Sequence, residues 1–103
     1  MSLFNLFGGS EKFNEGLSRF KQTPRAVLLD VRTIEEYKEG HVPQSKNLPL
    51  DEISTISLSK DQPLFVYCAS GSRSGQAVRW LNSHGYHAEN IGGIMSYKGP
   101  IQR

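Results

Sequence analysis

The chain of 103 residues has a single cysteine, Cys68, so it can form neither an internal disulfide nor a multi-cysteine zinc centre. No apolar run approaches the roughly 18 residues that span a bilayer, so no membrane contact is expected. The first nine residues carry no basic residue ahead of their apolar part, which is not the layout of a secretory signal. A reducing compartment, most simply the cytoplasm, is the expected location. Charge of one sign is also scarce: twelve Lys and Arg against ten Asp and Glu leave +2, without the basic stripe of a nucleic-acid binder. Repeats, low-complexity tracts and long linkers are missing. The chain therefore reads as one domain over residues 10–103, behind a tail of residues 1–9, and is expected to be monomeric.

Against these absences stand two nearly unbroken apolar runs. Ala26–Val31 and Leu64–Tyr67 are strand-length and rich in branched side chains, and their continuity predicts strands buried on both faces, as in a parallel sheet. Helical patterns alternate with them. Ser10 is the expected N-cap of a helix carrying Phe13, Leu17 and Phe20 and ending before Thr23-Pro24. Thr33 with Glu36 forms a capping-box pattern for a short helix stopped by Gly40. Asn47–Leu50 reads as a brief strand, Asp51–Ile53 as a helical turn, and His87–Ile91 as a last strand before Gly92-Gly93. Ala77, Val78 and Leu81 share a face of a helix over Ser74–His84 that Gly85 ends. The expected fold class is α/β, a mainly parallel central sheet with helices on both faces.

The second apolar run ends directly on Cys68, followed by the small, polar stretch Ala69, Ser70, Gly71, Ser72 and then Arg73. In open α/β sheets, ligand sites lie beyond the carboxyl ends of strands and face helix N-termini. Small residues there can turn backbone N–H groups toward one point, and such a nest with a nearby arginine favours a thiolate. A free cysteine at a strand end is commonly just a small buried hydrophobe. The succession of strand, cysteine, small polar loop, arginine and helix favours a nucleophile instead. The cationic balance of residues 63–103, four basic residues to one acidic, suits a small anion. His41, His84 and His87 each have a structural or surface explanation and no paired partner, so a Cys–His hydrolase is disfavoured. Trp80 and Tyr97 read as packing residues.

Three ordered signatures resemble those of rhodanese domains: Asp30 to Val42 with Asn47-Leu48-Pro49, Cys68 to Ser74, and Leu81 through Gly85-Tyr86 to Gly92-Gly93. The resemblance extends from about Ala26 to Lys98. It implies a single rhodanese-like domain of thiosulfate sulfurtransferase type that uses no cofactor and no metal. Cys68 would take sulfur from a small anionic donor such as thiosulfate, become a persulfide, and pass the sulfur to cyanide, a thiol or a sulfur-relay protein. The backbone amides of Ala69, Ser70, Gly71, Ser72 and Arg73 would cradle the persulfide, with Arg73 holding the loop or meeting the donor's oxygens. Asp30, Arg32 and Glu36 are supporting candidates, better explained by ion pairing and capping than by contact with substrate. A tryptophan common in the family is replaced by Tyr97.

Two other readings compete. Related phosphatases and arsenate reductases have a loop one residue longer than the four residues Ala69–Ser72, and the shorter ring should fit a single sulfur better than a tetrahedral oxyanion. A non-catalytic interaction module is disfavoured because the cysteine and a full loop are present.

Overall fold

The computed structural model describes residues 2–103, with side chains from residue 11 onward. Helix α1 covers Ser2–Gln22, β1 Val27–Asp30, α2 Ile34–Glu39, β2 Lys46–Asn47, β3 Leu64–Cys68, α3 Ser72–Ser83 and β4 Ala88–Gly93. Two 3-10 turns, Leu50–Thr55 and Ile94–Ser96, complete the order. The four strands form one sheet in the order β2-β1-β3-β4, and every pairing is parallel.

The continuity of the apolar strands has the expected cause. Along β1 and β3, Val27, Leu29, Leu64, Val66 and Cys68 face one core with Ala77 and Leu81 of α3 and Ile53 of the first 3-10 turn. Leu28, Phe65 and Tyr67 face the other, against Phe13 and Leu17 of α1 and Ile91 of β4. Alternation persists, but both faces are covered, so both positions are apolar. Phe13 is fully buried and meets Tyr67 edge to face at 5.6 Å. Burying such a ring contributes roughly 1.5–3 kcal/mol and fixes α1 on its face of the sheet. Tyr97 packs on this face, tilted on Phe13.

Several boundaries differ from the sequence reading, and β4, Ala88–Gly93, takes in the two glycines expected to follow it. Helix α1 begins at Ser2, so Ser10 lies within it and is not its N-cap. Leu6 and Leu3 continue the spacing of Phe13, Leu17 and Phe20 upstream in the sequence, and a serine is tolerated where periodicity continues. The short strand β2 is Lys46–Asn47, ending before Pro49, which has no N–H for a ladder. Helix α3 begins at Ser72 because Gly71 takes φ +105° and turns the chain straight into it. Ser72 and Arg73 therefore stand in the first helical turn.

The chain leaves β1 toward β2 and returns past β1 to β3. The carboxyl ends of β1 and β3 thus flank the point where the winding reverses, the place where α/β sheets open a crevice. Asp30 ends one strand and Cys68 the other.

Candidate active site

Cys68 is only 1% exposed, and its sulfur lies at the floor of the loop. The Gly71 N–H donates to Sγ at 3.0 Å and the Ser74 N–H at 3.3 Å, while Ser74 Oγ lies 3.3 Å from the same sulfur. Burial pushes the thiol up, but the Ser74 hydroxyl and the amides of Ser74, Gly71 and Ser70 together outweigh it. The Cys68 thiol is held below its ordinary value.

The loop keeps this shape through contacts across the sheet end. Gly93 pairs with Cys68, and a Cβ added there would lie 2.2 Å from the Ala69 carbonyl oxygen and 2.6 Å from Ser70 Cα. Only a glycine lets the two backbones pass. The Met95 N–H donates to the Ala69 carbonyl at 3.1 Å. Asn90 bridges three residues: Nδ2 donates to the Gly71 carbonyl at 3.1 Å, and Oδ1 accepts from the Gly92 N–H at 2.9 Å and from Ser74 Oγ at 2.8 Å.

Arg73 does not reach toward the sulfur as a free cation. Its guanidinium is held by both oxygens of Glu36, at 2.7 and 3.0 Å. Of its two expected roles, holding the loop fits this geometry. Glu36 also accepts from the Thr33 N–H while Thr33 Oγ1 accepts from the Glu36 N–H, the expected capping box. One carboxylate thereby ties the turn after β1 to the start of α3. Asp30 is fully buried and takes the Arg32 backbone N–H at 2.9 Å and its guanidinium at 2.7 Å; Arg32 goes on to the Gly40 carbonyl. Asp30 and Arg32 are thus paired with each other, and Glu36 is engaged by Arg73 and the capping box.

The structure brings Cys68 together with Gly71 and the first turn of α3. Of the predicted cradle of amides from Ala69 to Arg73, Gly71 donates to the thiol sulfur and the Ser70 amide also favours its charged form, while Ser74, one residue beyond the predicted stretch, supplies the second N–H at bonding distance. Ser74 and Asn90 were not singled out. Asn90 lies in the last strand ahead of the paired glycines, a spacing that carries no signal until β4 is laid beside β3. The histidines are placed as expected: His41 stacks on Tyr37, His84 lies with Nδ1 2.8 Å from the Trp80 carbonyl, and His87 is exposed.

The Arg73 guanidinium holds the Glu36 carboxyl at about 2, with the Thr33 N–H assisting against burial. A carboxyl depressed on folding stabilises the fold above its unfolded value of roughly 4.3, and that contribution fades as pH falls toward the folded value. Glu36 and Arg73 are about one-third exposed, so the screened contribution is about 1 kcal/mol or less. Glu36→Gln is therefore expected to be less stable than wild type by about this amount at pH 6, with the gap closing between about pH 5 and pH 2. Urea unfolding of both proteins across that range measures it, and a gap that is constant with pH would show that Glu36 titrates alike in both states.

A parallel sheet covered on both faces, with a hydrogen-bonded thiol at a strand end beside the winding reversal, defines an α/β domain built around one cysteine loop. The chain belongs to the rhodanese-like domain family, whose model matches residues 13–99. It is 40% identical over 77 residues to the thiosulfate sulfurtransferase PspE of Escherichia coli, covering 70% of this chain and 74% of the relative. A crystal structure of a rhodanese-like domain protein from Staphylococcus aureus superposes with a TM-score of 0.78 at 29% identity, covering 87% of this chain and 92% of that one. The putative sulfur carrier protein YrkF of Bacillus subtilis is 36% identical over 61 residues, 57% of this chain and 33% of that protein. No helix among the described residues is long and apolar enough to cross a membrane.

Proposed function

We propose that this chain is a sulfurtransferase that carries sulfur as a Cys68 persulfide. The Cys68 thiolate attacks the outer sulfur of thiosulfate, forming an S–S bond while sulfite leaves with the electron pair of the bond that breaks. Cyanide or a thiolate then attacks the outer sulfur, and the Cys68 thiolate returns as leaving group. One observation carries the reading: the Cys68 sulfur receives two backbone N–H donors at the entry to α3, where the negative charge of the attacking and departing Cys68 thiolate is stabilised. The PspE likeness supports thiosulfate as donor.

Intact mass of the protein after thiosulfate, and again after cyanide, tests this. The expected result is a gain of one sulfur atom, then its loss with release of thiocyanate. No gain from thiosulfate or from a low-molecular-weight persulfide, together with Cys68-dependent hydrolysis of an aryl phosphate, would overturn it in favour of the phosphatase reading.

A second acceptor is favoured by the likeness to a sulfur carrier protein: another protein's thiol, reached by relay. Val31, Thr33, Pro49, Leu50, Asp51 and Arg73 line a mainly apolar cleft that begins at Arg73, next to the cysteine loop. Such a surface suits a protein acceptor. Faster sulfur loss to a partner thiol than to cyanide at equal concentration is the relay's expected signature.

A further inference from the structure

The hydrogen on the Ser74 hydroxyl has two near claimants, and a third, the Gly92 carbonyl, lies farther off at 3.5 Å. Oγ lies 2.8 Å from Asn90 Oδ1 and 3.3 Å from Cys68 Sγ, and Ser74 is fully buried. A hydroxyl has one hydrogen to give and lone pairs to receive. The Asn90 amide is held in one orientation by two backbone groups of opposite kind, because Nδ2 must donate to the Gly71 carbonyl and Oδ1 must accept from the Gly92 N–H. The atom facing Ser74 is therefore an acceptor without hydrogen, and Ser74 is the donor of that pair.

While Cys68 is a thiol, this arrangement is complete. Ser74 gives its hydrogen to Asn90, and its lone pair receives the S–H of Cys68. Once the S–H proton has left to water, the same lone pair would face a negative sulfur, which is repulsive at this distance in a buried site. Turning about the Cβ–Oγ bond moves the hydrogen onto the sulfur. Asn90 Oδ1 is not left unpaired by that turn, because the Gly92 N–H still donates to it at 2.9 Å. Both positions of the hydroxyl are thus satisfied, which is unusual for a buried polar group.

We propose that Ser74 is a two-position hydroxyl donor, held on Asn90 while Cys68 is a thiol and turned onto the sulfur when Cys68 is a thiolate. Ser74 touches the reacting atom, and Asn90 is a positioning residue that acts through it. Three charged pairs on the surrounding elements are engaged with each other: Arg73 of α3 with Glu36 of α2, Asp30 of β1 with Arg32, and Glu89 of β4 with Arg19 of α1. Asp51 of the first 3-10 turn lines the cleft beside Arg73. Ser74 is the side-chain donor within reach of the sulfur.

The inference deepens the sulfurtransferase reading and rests on Cys68 as its nucleophile, yet its test reads the thiol directly. With one cysteine in the chain, alkylation by iodoacetamide and the infrared S–H stretch each report one group. In Ser74→Ala the pH of half-maximal alkylation is expected to rise by about one unit, so that the rate below both midpoints falls about tenfold. Ser74→Thr, which keeps the hydroxyl, retains the wild-type midpoint. The S–H band at low pH moves to higher frequency in Ser74→Ala, because the acceptor is gone. It also moves up in Asn90→Leu, where Ser74 remains but its near acceptor at 2.8 Å is gone and only the Gly92 carbonyl at 3.5 Å competes with the sulfur. Melting curves confirm that each variant is folded. A folded Ser74→Ala with the wild-type midpoint overturns the thiolate position, and an S–H band unmoved in Asn90→Leu overturns the anchor. Either failure leaves the sulfur gain on Cys68 standing, and a missing sulfur gain leaves these readouts standing.

Discussion

Cys68→Ser is expected to lower sulfur transfer by about a thousandfold or more, to the background of the assay, while the fold survives. The argument has a chemical and a structural half. A hydroxyl with no base beside it stays protonated at neutral pH, and oxygen cannot form the S–S bond on which the cycle depends. The loop, in contrast, can hardly tell the two atoms apart. A serine Oγ accepts from the Gly71 and Ser74 N–H groups that now reach Sγ at 3.0 and 3.3 Å, so no buried donor loses its partner. Stability should stay within about 1 kcal/mol of wild type. Thiocyanate formation and a melting curve on the same preparation check both halves. Retained transfer would remove Cys68 from the mechanism, and a large loss of stability would mean that the sulfur is also a packing element.

The second large effect concerns Gly93→Ala. The residue has an ordinary extended conformation, φ −123° and ψ 142°, so backbone strain is not the issue. The obstacle is contact. An added Cβ would come within 2.2 Å of the Ala69 carbonyl oxygen, 2.6 Å of Ser70 Cα and 2.7 Å of the Ala69 carbonyl carbon, all parts of the backbone rather than a side chain that could swing aside. The cysteine loop must move off the end of β4, straining the bond from the Met95 N–H to the Ala69 carbonyl. Overpacking of this kind costs about 2–3 kcal/mol, which lowers the melting temperature by roughly 10–20 °C for a domain this size. Alkylation of Cys68 should also slow at neutral pH, since the Gly71 N–H moves with the loop. A variant that melts with wild type would show that the loop accommodates the methyl group freely.

These two sites differ in how far the chain announced them. Cys68 was legible because strand, small polar loop and helix follow one another locally. Gly93 was partly legible: the paired glycines are plain in the sequence, and the structure shows what Gly93 passes, Ala69 and Ser70. Ser74 stands within the loop signature, yet nothing in its spacing distinguishes a side chain turned to the sulfur from one turned to solvent. Asn90 was overlooked altogether.

What the sequence by itself determined was local. Apolar continuity in Ala26–Val31 and Leu64–Tyr67 dictated strands covered on both faces, since a one-sided strand would alternate. Thr33 and Glu36 dictated their own capping box, because the two groups are a turn apart whatever surrounds them. Gly71 was suited to positive φ, and the structure uses it at +105° to start α3. What only the tertiary structure decided was partnership across the chain. Glu36 meets Arg73, and Asn90 meets Gly71 and Ser74, only after β4 has taken its place beside β3 and β3 beside β1. Side-chain pairing at such separations depends on strand order, and strand order follows from how both faces of the sheet are buried together rather than from any neighbouring residues.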